Sequence, residues 1–194
     1  MTHPSLHLLG AVPGVFPPDL SGLRALSGRG DGVAQWLTYL GEPWLCLPVF
    51  VLGMVLFKAW QRIPIARVIG GGLVLLVVVQ GLKFGIDRPR PGAVLDEVAS
   101  LPGGELKARA MPSGHTATGA YVFGVFGLAL WRQRRSGAAA LVGLGLPLIV
   151  GWSRIAIGAH WPTDVLAGLT LGFLLAIAAL GRASMHTEQT ETSD

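Results

Sequence analysis

Residues 65–82 read IARVIGGGLVLLVVVQGL, an apolar run whose only charged residue, Arg67, lies in its first turn. At about 1.5 Å per residue, a helix of this length covers most of the roughly 30 Å hydrocarbon core of a bilayer. The whole chain has the same character, because 51% of its 194 residues are hydrophobic and only 13% are charged. That composition is too apolar for a soluble domain. The sequence therefore predicts an all-α integral membrane protein.

Four further apolar runs surround this one. Two of them end in basic and aromatic residues, at Lys58-Ala59-Trp60 and at Trp131-Arg132, as transmembrane helices do at a membrane interface. Pro147 lies inside another run and is expected to kink it. The five predicted spans are residues 44–57, 65–82, 114–130, about 137 to beyond 152, and 162–180.

The chain is expected to divide into three parts. Residues 1–43 are interrupted by prolines and glycines and hold no window of spanning length, which predicts an interfacial arm with a possible extra helix. Residues 44–182 form the predicted transmembrane core. Residues 183–194 are rich in Thr, Glu and Ser and are predicted to be a disordered cytoplasmic tail.

The positive charges predict the orientation of the spans. The short connections after the first and third spans hold only basic charges, which places them in the cytoplasm. The polar connections at 83–112 and 153–161 then face the other side. The net charge of +4 does not indicate nucleic-acid binding, since the basic residues surround apolar segments and form no aromatic-interleaved patch. The basic residues of the two short cytoplasmic connections are Lys58, Arg62, Arg67, Arg132, Arg134 and Arg135.

Three polar clusters converge on this outer face. The first holds Lys83, Arg88 and Arg90, whose positive charges suit a phosphate. The second is Pro112-Ser113-Gly114-His115, where a hydroxyl and the free N–H groups of a helix start supply neutral donors.

The third cluster runs from Ser153-Arg154 to His160 and Asp164. On a helix that begins near Pro162, the Asp164 carboxylate could reach back to the imidazole of His160 and hold it in one tautomer. The other ring nitrogen would then be free to attack or to transfer a proton.

Each cluster also has an ordinary structural explanation. The basic residues could anchor helices at the interface, Ser113 could cap a helix, and His160 with Asp164 could form a structural hydrogen bond. An anion site is favoured because it explains all three clusters and the face they share. The sequence shows neither a carboxylate cluster suited to Mg²⁺ or Ca²⁺ nor the Cys/His spacing of a zinc site. Chemistry without a metal or other cofactor is therefore expected.

The spacing of these clusters resembles the three-part signature of the type 2 phosphatidic acid phosphatase family. Its parts are Lys83, six residues and Arg90-Pro91; then Pro112-Ser113-Gly114-His115; then Ser153-Arg154, five residues, His160, three residues and Asp164. The resemblance covers about residues 44–180. Membrane members of the family usually have six spans with the site at the non-cytoplasmic end, so a bundle of five to six helices is expected.

The resemblance also implies the role of each residue. His160 would be the nucleophile that forms a phosphohistidine, Asp164 would orient it, and His115 would protonate the leaving group and then activate water. The phosphoryl oxygens would be bound by Lys83, Arg90, Ser113, Gly114 and Arg154. Arg88 lies outside the fixed positions of the signature.

The predicted function is that of a metal-independent lipid phosphate phosphatase of a bacterial-type inner membrane. The candidate substrates are phosphatidate, phosphatidylglycerophosphate and undecaprenyl diphosphate, between which the sequence does not choose, and it gives no oligomeric state. Two alternatives stay open: an enzyme like the vanadate-dependent haloperoxidases, and a non-catalytic lipid-binding or transport protein.

Overall fold

A proline or glycine lies at the start of each of the longer helices in the structure, a computed structural model that describes residues 15–28, 31–99, 101–103 and 109–181. In these ranges every regular element is helical, which confirms the all-α prediction. The predicted tail and the first part of the predicted arm lie outside them. The helices are α1 (Pro17–Leu26), α2 (Asp31–Leu37), α3 (Pro43–Leu56), α4 (Ile65–Ile86), α5 (Asp96–Ala99), α6 (Gly114–Arg132), α7 (Ser136–Ala140), α8 (Leu146–Ala156) and α9 (Pro162–Leu180). Short 3-10 turns occupy Thr38–Gly41, Ala59–Arg62 and Pro91–Ala93.

Three helical segments of the described chain are long and apolar enough to cross a membrane by themselves: Ile65–Ala93, Ser136–Ala156 and Pro162–Leu180. They correspond to the second, fourth and fifth predicted spans. The irregularity expected at Pro147 takes the form of a wide π-turn at Leu141–Gly145, directly before it. Proline has no N–H to donate to the preceding turn, and a π-turn is one way a helix accommodates that loss.

The first predicted span differs from a simple crossing. Helix α3 has 14 residues, which gives a length of about 21 Å. It meets the spanning criterion only together with Gly32–Gly41, from which it is bent by 67°. Pro43 begins α3 directly after Glu42, so the chain turns at this point instead of continuing as one straight helix. The total number of spans remains a prediction.

Helix α6, the third predicted span, lies in the centre of the bundle. Its 19 residues reach about 28 Å, but it is not among the helices apolar enough to span a membrane by that measure. Most of its residues are buried against other helices, including Phe123, Val125 and Ala129 at 0% exposure. Because protein surrounds α6 on most sides, small and polar residues such as Thr116 are tolerated there.

Two glycines bring α6 and α9 into backbone contact. A Cβ on Gly168 would lie 2.6 Å from the Ser113 carbonyl oxygen, and one on Gly172 would lie 2.4 Å from that of Ala117. The four-residue spacing is that of the small-residue contacts by which membrane helices approach closely. This contact places the first turns of α6 against the middle of α9.

Candidate active site

The three predicted polar clusters meet at one end of the bundle. Lys83 lies near the end of α4, the Ser113 cluster begins α6, and the His160 cluster joins α8 to α9. The backbone N–H of Ser113 donates to the carbonyl oxygen of Asp164 at 3.0 Å, which links the second cluster to the third. Arg90 Nη1 donates to the Ala159 carbonyl oxygen at 3.0 Å, which links the first cluster to the third.

The turn between α8 and α9 holds His160 in the protein interior. Gly158 has a positive φ of 73°, a conformation that favours glycine, and its packing against Val98 leaves no space for a side chain. His160 follows two residues later with 1% of its surface exposed. The imidazole is therefore fixed by its surroundings.

Asp164 lies close to His160, as the spacing predicts. Helix α9 begins at Pro162, and Oδ2 of Asp164 lies 3.5 Å from Nδ1 of His160, an ion-pair distance at the limit of hydrogen bonding. The same oxygen accepts a hydrogen bond from the Trp161 backbone N–H at 2.9 Å, which caps the start of α9. With Nδ1 facing the carboxylate, Nε2 is the ring nitrogen on the far side from Asp164.

The surroundings of His160 favour its neutral form. Burial, followed by the positive charges of Arg154, Arg90 and Lys83, holds the pKa of His160 well below its usual range. A neutral imidazole retains the lone pair that a nucleophile needs. Burial and the same cations that would attract a phosphate thus act together to favour the unprotonated form of His160.

Arg154 reaches the site from α8 and is 4% exposed. Its Nη1 donates to the Thr38 hydroxyl at 2.7 Å, while its Nε has no hydrogen-bond partner. Within the described part of the chain, the buried side-chain nitrogens and oxygens without a hydrogen-bond partner are this Nε and Nδ1 of His160. Since such groups are costly to bury, their presence in one site indicates a functional use.

The remaining predicted phosphate-binding residues lie around the start of α6. Ser113 is fully buried and its hydroxyl pairs with that of Thr116 at 2.9 Å. A Cβ on Gly114 would lie 3.8 Å from the Lys83 ammonium, so this lysine is directed at the helix start. The first N–H groups of a helix have no partners within it, and they add donors at the same place.

His115 has a partner that the sequence analysis missed. Its Nε2 shares a 2.6 Å hydrogen bond with Oε1 of Glu42, and both side chains are partly exposed. Glu42 is the only acidic residue between Asp31 and Asp87 and directly precedes an apolar run. An isolated acidic residue next to an apolar run was the available signal for a functional role. The pairing itself could not be read from the sequence, because Glu42 and His115 are 73 residues apart.

Arg88 and Asp19 were also outside the predicted site. Arg88 donates to Oδ1 of Asp164 at 2.8 Å and to Oδ2 of Asp19 at 2.6 Å. Asp19 is on α1 and is fully buried. No local pattern marks it, because its partners come from sequence positions about 70 and 140 residues away.

An apolar groove leads away from this end of the bundle. A cavity of about 640 Å³ lies between α3, α4 and α6, with Glu42, Lys83 and His115 at its polar end. Along α6 it extends from Gly114 to Val125, a distance of about 16 Å, which matches one leaflet of a bilayer core. Lys83 therefore belongs both to the polar end of this apolar groove and to the group of cations that surround His160.

Within the described ranges, no three His, Cys, Asp or Glu side chains lie close enough together to hold a metal ion. The expectation of chemistry without a metal or cofactor stays a prediction.

Comparison with known proteins gives relatives of similar sequence. Phosphatidylglycerophosphatase B of Bacillus subtilis is 30% identical over 159 residues, which cover 77% of this chain and 73% of the relative. Lipid A 1-phosphatase of Rhizobium etli is 35% identical over 112 residues, which cover 54% of this chain and 46% of the relative.

A solved structure shows the same fold. The crystal structure of LpxE from Aquifex aeolicus superposes with a TM-score of 0.70 at 24% identity, covering 88% of this chain and 99% of that one. The family model described as the PAP2 superfamily matches residues 65–187, more than half of the chain and all of the predicted signature. With its fold, its signature and its relatives in agreement, this chain is an integral membrane protein that belongs to the PAP2 superfamily.

Proposed function

We propose that this protein hydrolyses the phosphomonoester or diphosphate of a membrane lipid through a phosphohistidine on His160. As a member of a family whose matched relatives are named phosphatases of lipid phosphates, it is a lipid phosphate hydrolase. The observation that carries the proposal is the position of Lys83, which lines the polar end of an apolar groove about one leaflet long and whose charge also acts on the buried His160. A ligand with a phosphate and a hydrocarbon tail satisfies both parts.

The first chemical step is attack by Nε2 of His160 on phosphorus. An N–P bond forms while the bond from phosphorus to the lipid oxygen breaks, and His115 gives a proton to that oxygen. Asp164 stabilises the positive charge that develops on the His160 ring. Arg154, Arg90 and Lys83 bind the phosphoryl oxygens together with Ser113 and the Gly114 N–H.

The second step releases phosphate. His115, now without its proton, removes a proton from water as the water oxygen attacks phosphorus, and the N–P bond breaks. His160 returns to its neutral state, which its depressed pKa favours. The products are a lipid with a free hydroxyl, or a lipid monophosphate when the substrate is a diphosphate, and inorganic phosphate.

Membrane placement follows from the charges. We place the site at the non-cytoplasmic face of a bacterial-type inner membrane, with five to six spans and the Lys58 and Arg132 connections in the cytoplasm. The groove between α3, α4 and α6 then opens at the height of the outer leaflet.

The test is phosphate release by the purified protein in detergent with a chelator present, using phosphatidate, phosphatidylglycerophosphate and undecaprenyl diphosphate. Release from at least one lipid is expected, and labelled phosphate should be trapped on the wild type but not on His160→Ala. Loss of activity with chelator would contradict the metal-free mechanism. A protein that binds these lipids without labelling or turnover would instead be a binding or transport protein, and bromide oxidation with vanadate would indicate a haloperoxidase.

A further inference from the structure

A buried polar network joins helix α1 to the start of α9. Asp19 is fully buried, and its Oδ1 accepts the Thr163 backbone N–H at 2.7 Å. Its Oδ2 accepts the Thr163 hydroxyl at 2.6 Å and Arg88 Nη2 at 2.6 Å. Three donors thus satisfy a carboxylate that would otherwise be very unfavourable in the interior.

Arg88 connects this carboxylate to a second one. Its Nη1 donates to Oδ1 of Asp164 at 2.8 Å and to the Thr163 hydroxyl at 2.7 Å. The guanidinium carbon lies 5.3 Å from the centre of the Trp161 ring, within the range of a cation–π contact. Both terminal nitrogens of Arg88 are therefore engaged by protein groups.

The two oxygens of Asp164 have different partners. Oδ1 accepts from Arg88, whereas Oδ2 caps α9 at the Trp161 N–H and lies 3.5 Å from Nδ1 of His160. A carboxylate held at both oxygens cannot rotate without breaking a charge-assisted hydrogen bond. The Arg88 contact therefore fixes the direction in which Asp164 presents Oδ2 to His160.

We infer that Arg88 and Asp19 are positioning residues for the hydrolysis, with Asp19 holding Arg88 and Arg88 holding Asp164 toward His160. This inference rests on the proposed function and extends it to α1, which becomes part of the working enzyme. The planar fork of arginine is needed because two carboxylates and a hydroxyl are bound in fixed directions, which a lysine ammonium does not reproduce.

Steady-state kinetics with the best lipid substrate test the inference. Arg88→Gln should lower kcat about tenfold and leave KM within about twofold, because Arg88 acts through Asp164 and not on the substrate. Arg88→Lys should recover only a small part of this loss. Asp19→Asn alone should lower kcat about threefold. Added to Arg88→Gln it should not lower kcat further, since both substitutions act on one network.

The matched control is Glu97→Gln. Glu97 lies on α5 and pairs at 2.9 Å with Arg24, which lies on α1 like Asp19. Both side chains are exposed and neither contacts Asp164. This variant should keep the kcat and KM of the wild type. If Asp19→Asn does not fold, Thr163→Val replaces it, because it removes the hydroxyl that bridges Asp19 and Arg88.

Two results would overturn the inference: a rise in KM with kcat unchanged in Arg88→Gln, which would mean that Arg88 binds substrate, or wild-type kinetics in all the network variants. In both cases the wild type and Glu97→Gln would still release phosphate, and the proposed function would stand. Absence of phosphate release from every lipid by the wild type would refute the proposed function itself.

Discussion

The two histidines of the site occupy opposite environments. His160 and Asp164 are 1% and 0% exposed, whereas His115 and Glu42 are 27% and 32% exposed at the polar end of the groove. A nucleophile benefits from a fixed, dry position, because its approach to phosphorus must be repeated in every turnover. A residue that exchanges protons with a leaving group and with water needs access to both. The difference in burial therefore matches the difference in the proposed roles.

The strongest test of this division removes each histidine in turn. His160→Ala and His115→Ala should each lower the hydrolysis of a natural lipid phosphate by about a thousandfold or more. With a nitrophenyl phosphate, whose leaving group needs no proton, the loss of activity in His115→Ala should be at least tenfold smaller than with the lipid. The loss in His160→Ala should stay the same. Equal recovery in both variants, measured as nitrophenol release, would show that the two residues do not divide the chemistry in this way.

A second test uses the burial of His160 and its effect on stability. The folded protein keeps this residue neutral, while in the unfolded chain a histidine takes up a proton below about pH 6.5. Below this pH the unfolded state binds more protons than the folded state, so stability should fall as the pH is lowered from 6.5. The folding equilibrium constant should change by at most about tenfold per pH unit, and above pH 6.5 it should stay constant.

The matched variant for this test is His160→Asn, which has no titrating group at that position. Thermal unfolding midpoints in detergent at pH 8, 6.5 and 5 should fall more steeply for the wild type than for His160→Asn. Identical slopes would mean that His160 is protonated in the folded protein, contrary to its depressed pKa.

The groove near His115 is tested by narrowing it. Leu76 lines the groove, whereas its neighbour Val77 is 70% exposed and does not. Leu76→Trp should lower kcat/KM about tenfold for a long-chain lipid phosphate and leave a short-chain one unchanged, because only the long tail needs the groove. Val77→Trp should leave both unchanged, and an equal loss for the two chain lengths would exclude the groove as the tail site.

The smallest effect is expected at Glu42. Glu42→Gln keeps the size of the side chain but removes the charge beside His115, and kcat should fall about threefold to tenfold, in line with the net value of one ordinary hydrogen bond. Asp87→Asn, which alters an exposed ion pair with Arg109, is the control and should have no effect. An unchanged kcat in Glu42→Gln would show that Glu42 takes no part in the proton transfer by His115.

Much of this site could be predicted from the sequence because its residues are close together along the chain or fixed by helix starts. The spacing of His160 and Asp164, with Pro162 between them, predicted both the start of α9 and their 3.5 Å contact. The apolar runs predicted α4, Ser136–Ala156 and α9 as spans, since length and hydropathy are local properties.

The parts that the sequence did not predict depend on distant contacts. Asp19 and Glu42 lie in the segment described only as an interfacial arm, yet each pairs with a residue near the signature. The 67° bend between Gly32–Gly41 and α3 was also not predicted, because Pro43 marks the start of a helix but not the angle at which the chain turns there. Arg88 was seen as a possible phosphate contact, and its engagement by two carboxylates appears only in three dimensions.

The contact of Gly168 and Gly172 with α6 has a consequence for how substrate preference can diverge. It fixes the spacing of these two helices through main-chain atoms, so that spacing depends little on which side chains occupy the remaining surfaces. The groove wall formed by α3 and α4 lies on another side of α6 and can change its shape independently. Substitutions in that wall can therefore change which lipid a protein of this fold accepts without changing the reaction it performs.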